Sequence, residues 1–232
     1  MLINYMVSGY KVFNSKAQFT MLGDKKFKNK NCVFNYDDKE ILKSAIIYGP
    51  NNTGKSTFIR SILLLKEIID KEIIDKSILE DESLYNFSLQ KKIIDYNIEF
   101  MYDNLIFNYS LSFKYKFGIV EEKLLVDNEI IFNRNGDSKF SIETFKAYKD
   151  KLIVCFMPSQ YKKYTDIFKN FFDSLLIVTN DNTDFFINEV YDYLKNCSDK
   201  EKIKFNKIIK LADISLDKIE VHDFEKNSKS LN

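Results

Sequence analysis

Glycine is scarce and runs out early. The six are Gly9, Gly23, Gly49, Gly54, Gly118 and Gly136, so nothing after residue 136 can supply a glycine-bearing loop that brings backbone N–H groups up to an anion. There is no tryptophan, the prolines are Pro50 and Pro158, and the one histidine is His222, which argues against a histidine metal centre or a Ser/His/Asp relay. Cys32, Cys155 and Cys197 lie far apart with no CxxC pair, so neither a disulfide framework nor a thiolate metal site is suggested. No apolar run approaches the ~20 residues of a membrane span, and the opening MLINYMVSGYK lacks the basic start and apolar stretch of an export signal. A cytoplasmic chain without membrane attachment is expected. Charge of one sign is missing too: 35 Lys and Arg face 34 Asp and Glu for a net +1, so binding to a polyanion requires a local patch.

What remains is a chain with material for a core, 45% hydrophobic and 15% aromatic over 232 residues. Ile3, Tyr5 and Val7 alternate with polar or small neighbours, and Ala17, Phe19 and Met21 resume the alternation, which predicts an opening strand pair. Lysine-rich sequence from Gly23 to Lys43 reads as a loop, with Val33 and Phe34 able to add a short strand. Ala45 to Tyr48 has the continuous apolar pattern of a buried strand. From Lys55 a broad apolar face predicts a helix. In its continuation, KEIIDKEIIDK over 66–76, the two Ile-Ile pairs cannot share that face, so the helix either ends near Asp70 or wraps two neighbours. Between Tyr96 and Ile142 the period falls to two. Phe107 to Phe117 alternates strictly, and 97–102, 123–126, 130–133 and 139–142 supply partners, with Asp127-Asn128 and Asn135-Gly136 as turns. A strand over 152–157, helices over 167–176, 185–194 and 200–211, a strand over 219–221 and a polar tail complete the chain.

The segment Gly49-Pro50-Asn51-Asn52-Thr53-Gly54-Lys55-Ser56 fits GxxxxGK[ST] between an apolar run and a helix. Glycines allow the backbone to curl so that its N–H groups and the helix N-terminus face phosphates. Lys55 adds charge at the β/γ-phosphates, the Ser56 hydroxyl is placed to ligate Mg²⁺, and Thr57 to bond an α-phosphate oxygen. ATP and Mg²⁺ are the implied cofactors.

The stretch AIIYGPNNTGKSTFIRSILLL and the opening MLINYMVSGYKVFNSKAQFTM resemble the N-terminal half of AAA-family, ABC/SMC-type ATPases related to the OLD and abortive-infection proteins of bacteria. The resemblance covers most of residues 1–134, with Gly9 standing where an asparagine or similar residue is usual. It implies an α/β P-loop NTPase lobe of ABC type: a mixed central sheet, an antiparallel β subdomain near 96–142 and a helical C-terminal region. The expected division is 1–157 for the P-loop lobe and 158–232 for a helical region in the same domain. By the same resemblance, Gln160 in IVCFMPSQY corresponds to the Q-loop glutamine, which attends Mg²⁺ and the attacking water. Lys11, Phe13 and Asn14 correspond to the segment beside the nucleotide.

Such an ATPase also needs an apolar strand ending in Asp-Glu and a serine-glycine signature at a helix start. No such Asp-Glu strand occurs. The nearest approach, Leu175 to Asp181, has Asn182 in place of the glutamate, and the glycine distribution leaves no signature. The reading is an ATP-binding lobe whose hydrolysis requires a C-terminal ATPase lobe, or a homo-oligomer, as partner. A nucleotide-sensing interaction module that does not hydrolyse is the alternative. A small-molecule kinase fits less well, because Arg60 and Arg134 are the only arginines and the antiparallel insertion is long. DNA enters as a partner through the resemblance. Lys25, Lys26, Lys28 and Lys30 form the one dense basic run, where loop lysines are ordinarily solvated surface.

Overall fold

The computed structural model describes residues 1–24, 30–36, 39–88, 90, 92–143 and 148–212. Lys25, Lys26, Lys28, the strand expected over 219–221, His222 and the polar tail lie outside the described residues. Two units divide the chain, 1–177 and 178–232.

In the first unit the opening alternation forms β1 (Leu2–Ser8) and β2 (Ala17–Thr20), and the lysine-rich stretch folds into a hairpin of β3 (Val33–Tyr36) and β4 (Lys39–Leu42). Helix α1 (Lys55–Lys71) and the single turn α2 (Lys76–Leu79) follow. The period-two region gives β5 (Ile93–Tyr102), β6 (Leu105–Lys114), β7 (Gly118–Val126) and β8 (Glu129–Asn133), and α3 (Lys162–Asp173) closes the unit. Six strands join in the order β2-β1-β5-β6-β7-β8, each pair antiparallel. Register aligns Phe19, Tyr5, Ile98, Tyr109, Leu124 and Phe132 in one row across the sheet. That row faces the helices, and from Tyr5 to Phe132 every member is fully buried. The opposite face is tied by polar groups, Asn97 Nδ2 to Asn108 Oδ1 and Ser110 Oγ (both 2.9 Å) and Asn4 Nδ2 to Glu99 at 2.6 Å, and buries Met101 in a small second cluster with Ile3 and Ile41.

Helix α1 lies on the β1 end of the row: Phe58 meets Tyr5 edge-on at 5.3 Å and the Tyr5 hydroxyl bonds Ser61 Oγ at 2.8 Å. Helix α3 lies further along, with Phe171 stacked 3.7 Å from Phe100 and Phe168 edge-on to Tyr109 at 4.9 Å. Aromatic contacts of this kind add to the 1.5–3 kcal/mol or so from burying each large side chain.

The fold is the α/β P-loop lobe with an antiparallel β region that the sequence leads one to expect, but three expected strands are formed differently. Residues 45–48 belong to no strand, and Ile46 and Tyr48 are 87% and 91% exposed. None of the described strands lies alongside to give them a ladder, so the mixed sheet expected around this segment is, among the described residues, wholly antiparallel. Residues 139–142 hold one ladder bond, Lys139 N–H to Ile131 C=O, before Phe140 turns onto Phe132 and Tyr161. Residues 152–157 form a short 3₁₀ turn, Ile153–Cys155. The Glu122 carboxylate takes the Ile153 and Val154 N–H groups at 2.8 and 3.1 Å, which a strand would have used in its ladder.

The KEIID question resolves at the first copy. Glu72 ends α1 at φ 62, Ile74 is fully buried, and Asp75 caps α2 by accepting from Ile78 N–H. The second unit carries α4 (Thr183–Asn196) and α5 (Asp199–Ala212), where Ser198 and Glu201 form a capping box. Residues 175–181, the nearest approach to an Asp-Glu strand, form no strand. Among the described residues no helix is long and apolar enough to cross a membrane.

Candidate functional site

Residues 49–54 link the exposed 43–48 segment to α1. Gly54 is the hinge: its φ of 90° disfavours any side chain, and a Cβ there would lie 3.1 Å from Val12 Cγ2 and 3.2 Å from Phe13 Cζ. Its carbonyl accepts the first helical bond, from Phe58 N–H at 2.8 Å. The N–H groups of the first turn, which include those of Lys55, Ser56 and Thr57, therefore open onto the loop at the positive end of a 17-residue helix.

The Lys55 ammonium folds back over the loop and donates to the carbonyl oxygens of Gly49, at 2.7 Å, and Pro50. Thr53 Oγ1 donates to the same Pro50 oxygen at 2.9 Å, and Asn52 adopts φ 61°. Asn51, Asn52 and Ser56 are exposed. A cation centred in a curl of backbone at a helix N-terminus is the arrangement a polyphosphate requires, and the exposed Ser56 hydroxyl supplies an oxygen for a hard divalent ion. Among the described residues no group of three or more His, Cys, Asp or Glu is placed to hold a metal ion by itself.

Beside the loop is a cavity of about 310 Å³. Its walls include Phe13, Phe19, Ile47, Tyr48 and Phe58, with Gln18, Thr53, Gly54 and Lys55 as polar or backbone rim. Phe13 and Phe19 both meet Phe58, at 6.1 and 6.3 Å, so the turn between β1 and β2 is held against the start of α1. An apolar slot next to a loop centred on an ammonium suits a flat heterocycle attached to phosphates.

Of the residues the sequence pointed to, Gly49 to Thr57 lie together. Phe13 joins them, but Lys11 and Asn14 flank the cavity without lining it. Lys11 (φ 46°) donates its N–H to Leu84 C=O, its carbonyl accepts from Asn86 Nδ2, and its ammonium lies 5.7 Å over the Tyr10 ring. Burial pushes the Tyr10 hydroxyl up to about 12. Gln160 is exposed in the 3₁₀ turn Ser159–Tyr161, where Tyr161 packs on Phe140 and Phe140 on Phe132 of β8. The 49–54 loop sits by β1 and β2. Four strand spacings, about 20 Å, separate β1 from β8, so Gln160 is not brought to the loop. The sequence reading passed over Phe19 and Gln18 as site residues, although the alternation that gave β2 places Phe19 on the Tyr5 face.

The protein family described as "AAA domain, putative AbiEii toxin, Type IV TA system" matches residues 44–190, more than half of the chain. No curated protein matches it.

Proposed function

The chain belongs to this AAA domain family, and we propose that its loop from Gly49 to Thr57 binds Mg–ATP as one lobe of an ABC/SMC-type ATPase related to the OLD and abortive-infection proteins. The observation that carries the reading is the Lys55 ammonium centred over the Gly49 and Pro50 carbonyls at the start of α1. When bound, the nucleotide supplies a polyphosphate chain and, with its metal, the reactive γ-phosphoryl group. Lys55 exchanges the two carbonyls for phosphate oxygens, and the first-turn N–H groups orient those oxygens through charge-assisted bonds. Ser56 offers its hydroxyl to the metal, Thr57 supports the α-phosphate, and Phe13 with Phe19 screens the slot beside them from water.

A second lobe is part of the proposal. Ile46 and Tyr48 carry a buried-strand pattern yet are 87% and 91% exposed, and the 232 residues contain neither the Asp-Glu strand nor the signature. A partner lobe pairing with 43–48 would cover the apolar residues and bring a carboxylate toward the nucleotide. Anti-phage defence is the setting the resemblance favours. The test is steady-state phosphate release by this chain. Binding of Mg–ATP without turnover is expected; turnover that Lys55→Ala abolishes would show that no second lobe is needed.

A further inference from the structure

We propose that the surface around the turn between β6 and β7 binds single-stranded nucleic acid. Three separate stretches of chain converge there. Tyr115 N–H donates to Lys92 C=O at 3.1 Å, Phe117 N–H to Lys114 C=O at 3.0 Å, and Ile119 N–H to Lys149 C=O at 2.6 Å, so residues 92, 114–119 and 149 form one hydrogen-bonded platform. The lysines on it rest on aromatic rings. Lys92 and Lys116 each lie 5.0 Å from the Tyr115 centroid, Lys149 lies 4.2 Å from Phe117, and Lys151 lies 4.6 Å from Tyr148 and 5.8 Å from Phe156.

This manner of support matters chemically. Lys92 is paired with Glu82, whose carboxyl also feels the charge of Lys116, but among the described residues no carboxylate pairs with Lys114, Lys149 or Lys151. A ring face steadies an ammonium without neutralising it, so the positive charge of these three stays available in a chain whose net charge is only +1. The rings remain open as well: Phe117, Tyr148 and Phe156 are 48%, 49% and 41% exposed. Exposed aromatic faces interleaved with unneutralised lysines fit a strand of phosphates carrying unpaired bases, which stack on the rings while the lysines track the backbone. A duplex hides its base faces and gains only from the charge. The inference does not depend on nucleotide binding.

The test is fluorescence anisotropy of the full chain with a fluorescein-labelled oligothymidylate of about 20 nucleotides, competed by an unlabelled duplex of equal length and by polyglutamate. Saturable binding that neither competitor displaces at equal charge is expected, with log affinity falling by about 2 per decade of salt for three phosphate contacts. Lys114→Glu combined with Lys149→Glu lowers affinity at least tenfold, and Phe117→Ala, which keeps every lysine, lowers it about fivefold or more. Unchanged circular dichroism checks the fold. Should the double variant misfold, Lys151→Glu and Phe117→Ala carry the same comparison. No binding at low salt, equal displacement by duplex or polyglutamate, or full affinity in Phe117→Ala overturns the proposal.

Discussion

The Glu122 carboxylate is fully enclosed, and the Arg134 guanidinium, 4% exposed, meets it at 3.0 Å. Burial pushes Glu122 up, while Arg134 and the Ile153 and Val154 N–H groups pull it back. Arg134 also donates to the carbonyls of Lys151 and Tyr148, so one ion pair fastens residues 148–154 to the sheet. Removing one partner of a buried pair leaves the other charge without compensation. Glu122→Ala is therefore expected to cost about 3–5 kcal/mol in urea unfolding. The cysteines give a second residue-level prediction. Burial pushes the Cys155 thiol up to about 12, whereas Cys32 is exposed, so a thiol reagent at pH 8 should label Cys32 in the native protein and Cys155 only after unfolding. Labelling of Cys155 at the rate of Cys32 would contradict the packing described.

At the level of elements, the Asp75 cap of α2 links sequence, geometry and pH. The Ser77 hydroxyl, then Lys71, hold its carboxyl from 3.8 down to about 2, and Ile78 N–H completes the cap. A depressed carboxyl contributes stability that is present above the ordinary value and lost as pH falls through the folded one. Asp75→Ala should thus cost about 1 kcal/mol near neutrality, and the gap from the wild type should close between pH 4 and pH 2 in thermal unfolding. What made elements legible was periodicity with turn chemistry. Strict alternation over 107–114 and the Asp127-Asn128 pair (φ 48° and 66°) were readable, and Asp103-Asn104 (φ 52° and 56°) closes the β5–β6 hairpin by the same chemistry. The apolar run 152–157, misread as a strand, gives its Ile153 and Val154 N–H groups to Glu122, a partner that only the tertiary fold supplies. Apolar pattern records burial; it does not record which acceptor the backbone will find.

For the whole molecule, the candidate site was legible where one contiguous motif holds it, residues 49–57, and less so where distant segments meet. Phe13 and Phe19 reach the loop through the β1–β2 turn, while Gln160, named by resemblance alone, lies across the sheet. The exposed 43–48 segment governs the behaviour of the chain by itself. An apolar segment without a ladder invites pairing between copies, so sedimentation should show self-association that Ile46→Glu reduces without lowering the melting temperature, since Ile46 packs little in the monomer. A monomeric wild type would contradict this. The most direct test of the central claim is titration calorimetry of the chain with Mg–ATP, beside Lys55→Ala. The account predicts saturable one-site binding that falls at least a hundredfold in the variant, since an ammonium bonded to phosphates contributes about 3 kcal/mol. Binding of equal strength in both proteins, or none in the wild type, would contradict it.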